Sequence, residues 1–207
     1  MSATRTGLIP ILLMACGLAI AGCGPAKTGG GAAAVTSTGT ALVGGPFQLV
    51  DQDNRPVDQH VLDGKWSAVF FGYTYCPDVC PTTLQALAQA KAKLGPDGKA
   101  LQVVFVSIDP ERDTPAQIKG YLATPAFPQP TLGLTGTPAQ VAAAAKAYRV
   151  YFQKVGTGDG YTMNHSSVIY LMDPQGRFDR VMTDSQTPAE IVTQVRDAMR
   201  MGPKGRT

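Results

Sequence analysis

The residues of this chain best equipped for chemistry are Cys76 and Cys80, in the run Phe70-Phe-Gly-Tyr-Thr-Tyr-Cys-Pro-Asp-Val-Cys-Pro81. Three residues separate them, one more than in a thioredoxin-type Cys-x-x-Cys pair. Positions four apart on a helical turn share one face, so the two sulfurs could grip one metal ion or close into one disulfide. A structural zinc site wants four ligands, usually with a second pair at a knuckle-like spacing. The only other cysteines, Cys16 and Cys23, fall in the N-terminal leader. A soft ion of low coordination fits better. Two thiolates joined by one imidazole would suit Cu(I), and could hold Cu(II) in a site of higher coordination.

Positioning such a pair takes a strand and a helix. Trp66-Ser-Ala-Val-Phe-Phe71 is short, apolar and aromatic, as expected of a strand buried on both faces, and Gly72 ends it. Leu84, Leu87, Ala88 and Leu94 then recur at helical spacing, Pro81 suits a first turn, and Gly95-Pro96 closes the segment. The second cysteine therefore stands near a helix N-terminus, where unpaired N–H groups lower a thiol pKa and favour the thiolate that binds metal or attacks disulfides.

The rest of the folded region reads as a frame for that junction. A hairpin opens it, with Phe47-Gln-Leu-Val and Arg55-Pro-Val either side of Asp51-Gln-Asp-Asn54. Leu101 to Ile108 is a second buried strand, ending at Asp109-Pro110. Thr114-Pro115, Thr137-Pro138 and Thr187-Pro188 each cap a helix, running to about Leu122, to Tyr148 and through the last segment. Strands are expected at Thr131–Leu134, around Val150–Lys154 and at Ser167–Met172, the last pairing with Arg177–Met182 across Asp173-Pro-Gln-Gly176. This order predicts an α/β, thioredoxin-like single domain with a central mixed sheet flanked by helices. Reactive groups belong at the carboxyl end of its first core strand.

The 207 residues suffice for one domain with additions. A net charge of +3, without an arginine-rich run, argues against nucleic acid. Arg5 precedes the apolar run from Leu8 to Ala21, which is short for a spanning helix and has the form of a secretory signal. Ile20-Ala-Gly-Cys23 resembles a bacterial lipobox, making residues 1–22 a lipoprotein signal peptide and Cys23 the lipidated residue. The bland alternative is an uncleaved anchor with Cys23 an ordinary residue. Residues 23–45, rich in Gly, Ala, Ser and Thr, then form a flexible tether. The domain is expected over 46–201, with 202–207 a short tail. With Cys16 removed and Cys23 lipidated, Cys76 and Cys80 are the only mature thiols, exposed as a pair to an oxidising compartment.

Three stretches in this order, Cys76-Pro-Asp-Val-Cys80-Pro81 after a Phe-Gly-Tyr strand end, Ser107-Ile-Asp-Pro-Glu-Arg-Asp-Thr-Pro115, and Asn164-His165-Ser166, closely resemble the SCO/SenC family from about Phe47 to Met199. The resemblance implies a thioredoxin-like fold, copper bound by Cys76, Cys80 and His165, and service in assembling the dinuclear copper centre of cytochrome c oxidase. Its apo subunit II, or a related copper protein, is then the expected acceptor. A thiol reductant, another copper chaperone and the membrane through the lipid anchor are further expected partners, in the bacterial envelope facing the periplasm or exterior. Many relatives carry aspartate where this chain has Asn164. An amide retains hydrogen bonding and loses a negative charge.

A single histidine is more often a satisfied polar residue than a ligand, and His60 is read that way. His165 is set apart by its place at the start of the late strand, opposite the cysteine helix. As a structural disulfide, Cys76–Cys80 would close a very short loop and add little stability. Asp109 to Asp113 reads first as a turn and helix cap, with Asp109 also placed to contact the site. Met163 offers a thioether but is better read as packing. Tyr73 and Tyr75 either shield the site or belong to the loop's core. The leading function is a copper metallochaperone. The alternative is a thiol–disulfide oxidoreductase that reduces the acceptor's cysteines. A peroxidase is weaker, since Tyr73 stands where a peroxiredoxin-like threonine is needed.

Overall fold

The computed structural model describes residues 43–203, and the expected signal segment, Cys23 and most of the tether lie outside them. Seven strands form one mixed sheet in the order β2-β1-β5-β4-β3-β8-β9. At its centre β3 (Trp66–Gly72) and β4 (Leu101–Ser107) run parallel, paired from Trp66↔Leu101 to Gly72↔Ser107. Every residue of β3 is buried, as its apolar run requires of a strand with covered faces.

Two crossovers build this centre. Helix α1 (Val79–Leu94) links β3 to β4, and α2 (Pro115–Leu122) links β4 to the parallel β5 (Thr131–Thr135). The opening hairpin, β1 (Gln48–Asp51) and β2 (Pro56–Asp58), adds antiparallel to β5. On the other side β8 (Val168–Met172) and β9 (Phe178–Thr183) continue the sheet from β3. Alternation along β3 assigns the layers. Phe70 meets Phe105, which stacks on Tyr121 of α2, while Phe71 meets Tyr148 at the end of α3 (Pro138–Ala147) and Tyr170 of β8. Helix α4 (Pro188–Met201) packs against α1.

The three Thr-Pro caps stand where the sequence places them. Thr114, Thr137 and Thr187 each accept the N–H three residues on, and Gln140 and Glu190 return a bond to complete two capping boxes. Pro115, Pro138 and Pro188 occupy first-turn positions where no N–H is missed.

Two local expectations are corrected. Cys76 is not on a helical turn with Cys80: α1 begins at Val79 with Asp78 as N-cap, leaving Cys76 in the preceding loop. Pro77 follows Cys76 directly and disfavours helical backbone there. His165, in turn, does not start the late strand. It ends β7 (Thr162–His165), which pairs with β6 (Phe152–Val155) as a separate two-stranded sheet, and β8 begins only at Val168.

Candidate metal centre

The carboxyl ends of β3 and β4 open onto the loop that carries Cys76. Cys80 follows in the first turn of α1 and is fully buried, whereas Cys76 is half-buried, and both thiols are free. Cys80 sits so close to the sheet that a Cβ on Gly72 would lie 2.8 Å from its Sγ and 2.9 Å from the Phe105 ring. Glycine at the end of β3 is thus what lets the sulfur approach the strand. The backbone N–H of Cys80 donates to Cys76 Sγ at 3.4 Å, so the loop sulfur takes the place of a side-chain cap on α1.

The pairing splits the two thiols. Cys76 is pulled down to about 3 by the hydrogen bond from the Cys80 thiol, with the backbone N–H groups of Cys80 and Asp78 also favouring its thiolate against partial burial. Cys80 is pushed up, first by sharing its proton with Cys76 and then by burial. One thiolate and one thiol at neutral pH is the natural state of such a coupled pair.

The β6–β7 hairpin supplies the third group. His165 Nε2 lies 3.9 Å from Cys80 Sγ, and the two sulfurs and an imidazole nitrogen all fall within 4.8 Å of one another. His165 Nδ1 is 3.0 Å from the Ser166 carbonyl, which can only accept. Nδ1 therefore carries the proton and Nε2 presents its lone pair towards the sulfurs, the tautomer of a metal-ligating imidazole. Tyr73, buried, sets its ring edge-on to His165 at 5.9 Å and its hydroxyl 2.7 Å from Thr162 Oγ1 on the same hairpin. Two sulfurs and one imidazole, converging without a fourth protein ligand among the described His, Cys, Asp and Glu residues, can hold a soft cation or exchange disulfides.

The remaining candidates separate clearly. His60 is exposed and paired with Asp63 at 2.8 Å. Met163 is buried and lines the floor of a half-open cleft with Pro138, Val141 and Phe152. Asn164 alternates away from Met163 and is exposed on the hairpin. Tyr73 is core, whereas Tyr75 is 54% exposed. Asp109 to Asp113 is more than a turn and cap. Asp113, buried, accepts from the Thr74 N–H, the Thr74 hydroxyl and the Ser107 hydroxyl, tying the cysteine loop to the end of β4. Asp109, also buried, accepts from Arg112 and from the Tyr161 hydroxyl. Sequence reasoning missed these roles, although acids directly after a buried parallel strand, one strand over from the cysteines, were the available signal.

The SCO1/SenC family pattern matches residues 35–200. Copper-bound ScoI of Bradyrhizobium japonicum is 46% identical with a TM-score of 0.68, covering 75% of this chain and 98% of that one. Protein SenC of Rhodobacter capsulatus is 38% identical over 161 residues, 77% of this chain and 72% of that protein. SCO1 homolog 1 of Arabidopsis thaliana mitochondria is 42% identical over 144 residues, 69% of this chain and only 42% of its own length. The chain thus spans about half the length of the mitochondrial relatives it matches. With a family pattern over most of its length and relatives that share its folded part, this chain belongs to the SCO1/SenC family.

Proposed function

We propose that this chain is a copper metallochaperone that holds its cargo on Cys76, Cys80 and His165 and passes it to an apo copper protein by ligand exchange. The observation that carries this reading is the convergence of two sulfurs and an imidazole nitrogen within 4.8 Å. Copper bound to ScoI of Bradyrhizobium japonicum, a 46% identical neighbour, supports the choice of metal. Cys76 as a ready thiolate and His165 with Nε2 unprotonated both present lone pairs to Cu(I), and Cys80 releases its proton on binding. Three protein ligands leave room for one from the acceptor, so cargo can move without being released as a free ion. By family resemblance the acceptor is subunit II of cytochrome c oxidase or a related copper protein. Delivery takes place in a bacterial envelope, with the chain held to the membrane by lipid on Cys23. That residue lies outside the described region, and no described helix is long and apolar enough to cross a membrane.

The test is an anaerobic Cu(I) titration of the reduced chain against a competing chelator, beside His165→Ala. One-to-one binding that weakens about 10- to 100-fold in the variant supports the three-ligand site. Binding indifferent to His165 sinks it.

The unequal thiols favour one second reading, disulfide exchange. The half-buried Cys76 thiolate would attack an acceptor disulfide, releasing one acceptor thiolate and forming a mixed disulfide. Cys80 would then displace the second acceptor sulfur, its proton passing to a departing thiolate, leaving the acceptor reduced and Cys76–Cys80 oxidised until a thiol reductant restores them. The contacts that stabilise the Cys76 thiolate stabilise the reduced pair, which makes it a weak electron donor and a ready ligand set. Copper holding is therefore the better supported role.

A further inference from the structure

The histidine and the cysteines stand on elements that no shared strand joins. His165 belongs to the two-stranded β6–β7 sheet, and the cysteines to the β3–α1 junction of the main sheet. Four-residue strands paired only with each other are marginal by themselves. Something else must fix the hairpin where Nε2 reaches Cys80.

The loop after β4 lies between the two. Arg112 Nε donates to Asp109 Oδ2 at 2.6 Å, and its Nη1 donates to the Tyr161 carbonyl at 3.0 Å, at the mouth of β7. Tyr161 returns its hydroxyl to Asp109 Oδ1 at 2.6 Å. The guanidinium also lies 3.6 Å from the Tyr161 ring centroid and 4.6 Å from that of Tyr75, the residue before Cys76. Its Nη2 has no hydrogen-bond partner, and the guanidinium as a whole lies over the rings of Tyr161 and Tyr75. One residue further, Asp113 holds Thr74. A single short loop thus grips the hairpin by Tyr161 and the cysteine loop by Thr74 and Tyr75. The ion pair from this loop to the hairpin, Lys154–Glu111, is largely exposed and contributes little.

We infer that Arg112 and Asp109 are positioning residues that clasp the β6–β7 hairpin to the cysteine loop and so set whether His165 joins the two sulfurs as a ligand. Neither touches the metal. Arg112 is suited to this because its planar fork serves Asp109 and the Tyr161 carbonyl at once while its face stacks on tyrosine. Lysine keeps the charge and cannot make both bonds. The inference rests on the three-ligand reading above.

The experiment compares the reduced full chain with Arg112→Lys, His165→Ala and the double variant. Cu(I) affinity is measured by chelator competition, and the imidazole nitrogen signature by electron paramagnetic resonance of the Cu(II) form. If the clasp acts through His165, Arg112→Lys weakens Cu(I) binding about 10- to 100-fold, the usual effect of removing support from a ligand. The double variant is then no weaker than His165→Ala alone, and the nitrogen signature fades in Arg112→Lys. Losses that multiply in the double variant, or an unchanged nitrogen signature, overturn the inference while leaving the ligand set intact. No effect of His165→Ala overturns the ligand set and the clasp together. Tyr161→Phe, which removes only the hydroxyl bond to Asp109, is run alongside as a milder cut. It should shift affinity in the same direction by less, with a wild-type circular dichroism spectrum, and a fully wild-type affinity counts against the clasp.

Discussion

At the scale of single residues, the site works because two chemically identical side chains are made unlike each other. Cys80 is buried against Gly72 and Phe105 and keeps its proton, while Cys76 collects hydrogen bonds from the Cys80 thiol and the backbone N–H groups of Cys80 and Asp78. Burial alone would have raised both. The hydrogen bonds decide the outcome at Cys76, since they outweigh its partial burial. The sign of the pH dependence follows. Cys76 lies well below its ordinary value of 9.0, so its thiolate is fully formed at neutral pH and is lost only as pH falls towards about 3. Iodoacetamide should therefore label Cys76 in the reduced, metal-free chain at a rate nearly flat from about pH 8 to about pH 5, whereas an ordinary thiol slows about tenfold per pH unit. Cys80 should stay unlabelled over that range. A tenfold fall per unit at Cys76, read by peptide mass mapping, would show that the two thiols are not split.

At the scale of elements, the site is a meeting of three loops, each anchored by a different device. The cysteine loop hangs on Asp113, a buried carboxylate that takes three hydrogen bonds from Thr74 and Ser107. Burial raises its pKa while those donors oppose the rise. Asp113→Ala leaves buried donors without an acceptor and should cost about 3 kcal/mol in urea unfolding, each such group being worth roughly 1–3 kcal/mol. A loss below about 0.5 kcal/mol, the scale of an ordinary surface change, would mean that the loop is held some other way. The sequence made β3, α1, β4 and the Thr-Pro helix starts legible because each is dictated locally, by an unbroken apolar run or by a residue pair that can only begin a helix. It also singled out the three side chains that the structure brings together, Cys76 and Cys80 by their spacing and His165 through the family motif around it. What stayed hidden was tertiary. Nothing local says that Phe152–Val155 and Thr162–His165 leave the main sheet, because four-residue strands carry too few alternations to reveal their partner. Nor does a run such as Asp-Pro-Glu-Arg-Asp announce which of its charges are buried. Asp109 and Asp113 vanish into the core while Glu111 between them faces solvent, a distinction made by the sheet end above them.

At the scale of the whole molecule, the candidate metal centre sits at the edge of a continuous apolar core. Phe70, Phe71, Phe105, Leu84, Leu87 and Tyr148 are all buried in one cluster that spans the sheet and both helical layers, and Cys80 enters it as one more small apolar side chain. Structural zinc domains differ, because there the metal is the core and its removal unfolds the chain. A protein whose metal is cargo must remain folded after delivery, or each transfer would be followed by refolding. The reduced, metal-free chain should accordingly show one cooperative urea transition with native circular dichroism at its start. Cu(I) should add stability only by mass action, about 2.7 kcal/mol at a free concentration one hundred times its Kd. The dependence on urea should keep the same slope, since the surface exposed on unfolding is unchanged. A metal-free chain without a cooperative transition would make copper a structural element and remove the basis for delivery. Equal stability with and without saturating Cu(I) would mean that the folded site does not bind it.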